Sequence, residues 1–121
     1  MNKELIELQK GCVATCAIIP NEEIDELNSK VIIQANASNE ELMTAIMGCN
    51  CNNGEEVNHL VIKGIDNIPE DSQEKFYQIV KDREFNGCKL KEEIIIVLTV
   101  EGKDNLKKIS DGLYNLCVVA F

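Results

Sequence analysis

Tryptophan is absent from this chain, aromatic residues make up 4%, and there are 2 prolines and 1 histidine. So few aromatic rings leave little for a platform that stacks bases, and Phe76 and Tyr77 read as core and rim. A single imidazole excludes a multi-histidine metal centre. Arginine occurs once, at Arg83. Positive charge as a whole is scarce: Lys plus Arg is 12 against 21 for Asp plus Glu, a net charge of −9. Nucleic-acid phosphates would repel such a surface, so no nucleic-acid partner is expected. No apolar run approaches the roughly 18–20 residues that span a bilayer, so no membrane partner is expected either. The opening Met1-Asn2-Lys3-Glu4-Leu5-Ile6-Glu7 carries acids where a secretory leader would be cleanly apolar, and the expectation is a soluble, cytoplasmic protein. Internal repeats, low-complexity tracts and linkers are lacking.

What is present is a chain of 121 residues, 45% hydrophobic, enough for one packed domain over residues 1–121. Residues 1–11 form an N-terminal segment that suits either a helix or a first strand. Six cysteines stand at 12, 16, 49, 51, 88 and 117. Cys12, Cys16 and Cys117 sit inside apolar runs, where a thiol behaves as a small hydrophobe. A chain with this much core in a reducing compartment needs no staples, so no disulfides are expected.

Apolar runs alternate with helical patterns along the chain. Cys12–Ile19 is continuous and rich in β-branched residues, as suits a strand buried on both faces. Pro20 and Asn21 open a short acidic helix over 22–27. Residues 31–37 read as a second strand. Ser38-Asn39-Glu40-Glu41 has the form of a capping box, opening a helix with Leu42, Met43, Ala45, Ile46 and Met47 that Gly48 stops. Residues 49–56 read as a polar surface loop, and 59–65 as a third strand. Pro69 suits the first position of a helix whose apolar face is Phe76, Tyr77, Ile79 and Val80. Asn86-Gly87 breaks the chain before a fourth strand at 93–100. A helix with Leu106, Ile109 and Leu113 and a fifth strand at 116–121 complete the pattern. Strands separated by helices pair in parallel through crossovers. The fold expected is α/β: a three-layer α/β/α sandwich with a mostly parallel five-stranded sheet.

From Val31 onward the order of elements and several local motifs resemble the core of an AAA+ ATPase. Residues 31–40, Val-Ile-Ile-Gln-Ala-Asn-Ala-Ser-Asn-Glu, resemble the second strand and turn of clamp-loader-type members. Residues 59–69, His-Leu-Val-Ile-Lys-Gly-Ile-Asp-Asn-Ile-Pro, have the shape of the Walker B strand and its exit, and Gln73-Glu74-Lys75-Phe76 continues as the family's next helix does. Asp82-Arg83-Glu84-Phe85-Asn86-Gly87-Cys88-Lys89-Leu90, followed by the strand 94–100, is similar to the MoxR-like and dynein-like branch. Residues 104–114 match the helix before the last strand. The resemblance covers roughly three quarters of the chain. It implies the P-loop NTPase-like strand order 5-1-4-3-2, against a flavodoxin-like 2-1-3-4-5 for the alternative of a STAS-like or other doubly wound signalling domain.

The departures from the family bear on function. No G-x-x-x-x-G-K-[ST] occurs, and the place where it is expected holds Lys10-Gly11-Cys12-Val13-Ala14-Thr15-Cys16. Lys63 and Gly64 replace the metal-coordinating and catalytic acids of the Walker B strand. The sensor position, near Thr99 to Glu101, lacks the usual Asn, and no Arg stands near Leu116 where an arginine finger would lie. An arginine finger alone is worth about 10³–10⁵ in rate. The chain also reaches Phe121 where family members continue into a helical lid. The resemblance thus implies a degenerate core from which hydrolysis has been removed.

No catalytic residue and no cofactor are assigned. Cys49, Cys51 and His59 are metal candidates by residue type, although C-x-C with a His eight positions on is not a zinc-finger spacing and a fourth ligand is lacking. An Asn-rich loop with two thiols explains the same residues. Asp66 is the candidate binding residue, since it follows the third strand at the end where open α/β sheets bind ligands, but an Asx-type cap for the turn into Pro69 is the favoured explanation of it. The remaining carboxylates fall at helix starts and polar faces. The expected function is a non-catalytic AAA+-like interaction or regulatory module with a protein partner or a second copy of itself. A nucleotide-binding ATPase domain with an unrecognised phosphate loop is the alternative of the enzyme class.

Overall fold

The computed structural model describes residues 16–50 and 57–121. The N-terminal segment 1–11, the first part of the expected strand 12–19 and the loop residue Cys51 therefore lie outside the described residues. Five strands form one parallel sheet: β1 (Cys16–Pro20), β2 (Lys30–Gln34), β3 (His59–Lys63), β4 (Ile95–Val100) and β5 (Val118–Val119). The helices are α1 (Asn39–Asn50), α2 (Glu74–Asp82) and α3 (Asp111–Asn115). Tighter 3-10 segments cover Asn21–Glu26, Ile65–Asn67, Glu70–Gln73 and Lys103–Lys108. A separate hairpin pairs Glu84 with Lys89 and Phe85 with Cys88.

Within the large sheet the strands lie in the order β2-β3-β4-β1-β5, which is 5-1-4-3-2 read from the other edge. A flavodoxin-like order would set β2 beside β1, whereas β2 stands at the far edge. The chemistry of the strands explains who is central. In β1, β3 and β4 nearly every residue is buried, as a strand covered on both faces requires. Alternate side chains sort into two cores. Cys16, Ile18, Leu60, Ile62, Ile96 and Leu98 face Leu42 and Ile46 of α1, Phe76 and Ile79 of α2, and Leu113 of α3. Ala17, Ile19, Val61, Ile95 and Val97 face Ile24 and Leu27 of the segment after β1, with Ala120. Helical material on both sides of one sheet makes the α/β/α sandwich.

Several local expectations hold at atomic detail. Ser38 Oγ accepts from the Glu41 N–H at 3.2 Å, and Glu41 Oε1 accepts from the Ser38 N–H at 3.3 Å, a reciprocal capping box. Others are corrected. Gly48 does not stop α1, which runs on to Asn50. There Asn50 Nδ2 donates to the Lys89 carbonyl at 2.7 Å while its Oδ1 accepts from the Lys91 N–H at 3.1 Å, so the hairpin rewards the extra turn. Pro69 precedes its helix, in extended backbone, and 3-10 turns lead into α2. Asn86-Gly87 is a tight hairpin turn: both residues have positive φ, 49° and 82°, as a type I′ turn demands. The single helix expected around Leu106, Ile109 and Leu113 is a 3-10 segment followed by the short α3, with Ile109 extended between them. The fifth strand shrinks to Val118–Val119 because only those two residues pair with β1.

Gly64 ends β3 in the left-handed region at φ 79°, and a Cβ there would stand 2.8 Å from Asn67 Nδ2. Gly64→Ala is expected to cost about 1–2 kcal/mol through backbone strain and displacement of Asn67. Urea unfolding monitored by circular dichroism measures it, and an unchanged midpoint refutes the strain.

Candidate functional site

Ligands of open parallel sheets bind at the carboxyl ends of strands, where neighbouring connections depart in opposite directions. Here that point lies between β1 and β4. The chain leaves β1 for the far edge at β2, and leaves β4 for β5 on the other side of β1. The residues at this crevice are Asn21, Gly64, Asp66, Thr99, Glu101 and Asn105. They are engaged with one another. Thr99, fully buried, donates through Oγ1 to Asn21 Oδ1 at 2.5 Å and accepts from the Gly64 N–H at 3.0 Å. The Asp66 carboxylate accepts through Oδ2 from the Glu101 N–H at 3.2 Å and from Asn105 Nδ2 at 2.7 Å.

Asp66 is therefore a clasp between the exit of β3 and the exit of β4. Its partners are Glu101 and Asn105, not the turn into Pro69 that the sequence suggested. Its Oδ1 is buried and accepts no hydrogen bond among the described residues. One spare carboxylate oxygen does not make a cation site, since hard cations take six or more oxygen ligands. Gln73, which sequence reasoning passed over, is the second clasp. Fully buried, it donates through Nε2 to the Lys108 carbonyl at 2.9 Å and to the Ile68 carbonyl at 3.3 Å, while its Oε1 accepts from the Ser110 N–H at 2.7 Å. A lone glutamine on a helix entry carries no pattern that would have marked it.

The turn after β1 is where a phosphate loop would follow in a P-loop protein; β1 ends at Pro20, and residues 10–15 of the stretch expected from sequence lie outside the described residues. Pro20 leads directly into Asn21–Glu26, a 3-10 segment carrying Glu22, Glu23, Asp25 and Glu26 and no basic residue. It is too short and too acidic to present a row of N–H groups to a phosphate. A hollow between the ends of β2 and β3 holds about 70 Å³ and is lined by Gln34, Ala35, Asn36, Lys63, Gly64, Asn67 and Ile68. Ligand pockets measure roughly 300–1,000 Å³, so this one suits a water or two.

Of the metal candidates Cys49, Cys51 and His59, two are among the described residues. Cys49 is buried in the core beneath α1, and His59, at the start of β3, has Nδ1 2.9 Å from the Asn28 carbonyl oxygen. Cys51 lies outside the described residues. Among the described residues no three His, Cys, Asp or Glu side chains group closely enough to hold a metal ion. The single arginine is likewise structural. Arg83 caps α2 in the left-handed region, and its guanidinium donates to the Lys91 and Ile94 carbonyls, each at 2.6 Å. Burial lowers its pKa, opposed by Cys16, Glu92 and Glu93.

The larger concavity lies elsewhere, between edge strand β2 and α1. It measures about 810 Å³, and its lining includes Val31, Ile32, Ile33 and Ala45 together with Glu40 and Glu41. Ile32 of β2 is 45% exposed, and Met47 of α1, outside this lining, is 54% exposed. Among the described residues no helix is long and apolar enough to cross a membrane. Compared with known proteins, the chain matches no family model and no curated protein.

Thr99→Val keeps the shape but orphans the Gly64 N–H and Asn21 Oδ1, and a loss of about 1–3 kcal/mol is expected in urea unfolding. A loss below the error of the measurement would show the clasp to be dispensable. Burial pushes the Cys49 thiol up to about 11. The native state therefore favours the protonated thiol, and the stability this contributes is complete below the ordinary thiol value and falls as pH rises toward 11. The difference in urea midpoint between wild type and Cys49→Ala should shrink over that range; parallel curves would contradict it.

Proposed function

We propose that the chain is a non-catalytic, AAA+-like interaction module that acts through protein contacts. The observation that carries this reading is the crevice between β1 and β4, whose polar groups bond to one another where a ligand would otherwise be held. The strand order 5-1-4-3-2 and the Asp82–Leu90 hairpin turn support the likeness to an AAA+ core. The acidic turn after β1 and Lys63 and Gly64 at the end of β3 argue against a bound nucleotide.

The contact surface in this reading is the β2–α1 groove, and its occupant is an extended segment with alternating apolar and basic side chains. β2 stands at the edge of the sheet among the described residues, so its outer edge suits strand addition. The half-buried Val31 and the exposed Ile32 of the edge strand offer apolar surface, and Glu40 and Glu41 offer charge to Lys or Arg. A second copy is the weaker match, because two chains of −9 repel.

Titration calorimetry with ATP and magnesium should give no binding heat, and micromolar affinity would overturn the non-catalytic reading. A fluorescent peptide of alternating valine and lysine should bind in low salt, at least roughly tenfold more weakly to Ile32→Glu, and weakly in high salt. Equal binding of a valine–glutamate peptide, or no binding of either, would overturn the groove assignment.

A further inference from the structure

The opposite end of β1 holds a pair of sulfurs that the interaction reading does not use. Cys117 Sγ lies 2.9 Å from Cys16 Sγ, across 101 positions of sequence. A disulfide bond is about 2.05 Å, so the two atoms stand about 0.9 Å from bonding distance. The backbone explains the approach. Ala17 pairs with Val118 and Ile18 with Val119, and Cys16 and Cys117 occupy the preceding step of the same register. Neighbouring strands lie roughly 4.8 Å apart, inside the roughly 4.4–6.8 Å between α-carbons that a disulfide bridges. Both side chains face the same core, Cys16 within it and Cys117 packed against it.

We propose that Cys16 and Cys117 form a reversible thiol–disulfide site that clamps β5 to β1, with a small-molecule disulfide as oxidant. The two thiols differ in access: Cys16 is fully buried, whereas Cys117 is partly exposed. The thiolate of Cys117 attacks one sulfur of the small disulfide, forming a mixed disulfide and releasing one small thiolate. Cys16, after giving its proton to water, attacks Cys117 Sγ and expels the second small thiolate. Two protein thiols lose two electrons, and one small disulfide is reduced to two thiols. Burial and the neighbouring Cys117 hold the Cys16 thiol well above its ordinary pKa, and the Arg83 charge acts in the other direction. The second step is therefore the slow one. The target is a short edge strand: β5 is two residues long and pairs with β1 at two positions, continued by the hydrogen bond from the Ala120 N–H to the Ile18 carbonyl at 2.9 Å.

The test uses the full chain, fully reduced and then incubated with oxidised glutathione. Acid quench, alkylation after unfolding and peptide mass spectrometry should find a Cys16–Cys117 linked peptide pair that dithiothreitol removes. Closing a loop of about 100 residues should raise the thermal midpoint by roughly 10 °C or more over the reduced protein. Cys117→Ser and Cys117→Ala should lose both the link and the shift while keeping the circular dichroism of the reduced wild type. Recovery of Cys117 as a glutathione adduct with Cys16 still alkylated would overturn the site. So would a link from Cys16 to another cysteine. A Cys16–Cys117 link without a rise in midpoint would overturn the clamp. Each of these is read on the wild-type chain, so the proposal does not depend on a variant folding.

Discussion

Burial of β4 on both faces, between β3 and β1, is the constraint from which the rest of the molecule follows. Every residue from Ile95 to Val100 is buried, and each flank of the strand hydrogen-bonds to a parallel neighbour. A strand in that position needs apolar cover above and below, because its side chains alternate between the faces. α1, α2 and α3 supply one cover and the segment after β1 contributes to the other. Setting β4 beside β1 also creates the crevice at their carboxyl ends and brings Thr99 to Asn21.

That crevice is where the fold would invite a ligand, and its polar groups other than Asp66 Oδ1 bond within the chain. A buried hydroxyl, amide or carboxylate left without a partner costs about 1–3 kcal/mol, so a site that keeps such groups for a ligand carries strain when empty. Thr99, Asn21, Gly64, Asp66 and Asn105 instead complete most of their bonds within the chain, and Gln73 does the same for the loops beneath. Open, apolar concave surface is found at the β2 edge, with acids on the rim. This division between a largely closed polar crevice and an open edge is what the proposed interaction reading rests on.

Legibility in the sequence followed the range of the interactions. The capping box at Ser38–Glu41 was readable because its donors and acceptors lie three residues apart. The buried strands at 59–63 and 95–100 were readable because continuous Ile, Val and Leu runs fit a strand covered twice. Element ends were misjudged wherever a distant partner set them. Asn50 extends α1 past Gly48 by reaching Lys89 and Lys91, and pairing with β1 trims the last strand to Val118–Val119. Asp66 was rightly placed at the carboxyl end of its strand, but its partners at Glu101 and Asn105 lie 35 and 39 residues away.

The sequence by itself determined the α/β class, the two-faced burial of the central strands and the acidic character of the turn after β1. These are properties of composition and of periods of two or a few residues, which act before any long-range contact exists. The tertiary structure decided strand order, the closure of the crevice by Thr99 and Asp66, and the meeting of Cys16 with Cys117 across 101 residues. Those outcomes depend on which strands lie side by side. No local pattern encodes that choice, because it is made by packing the whole apolar set at once.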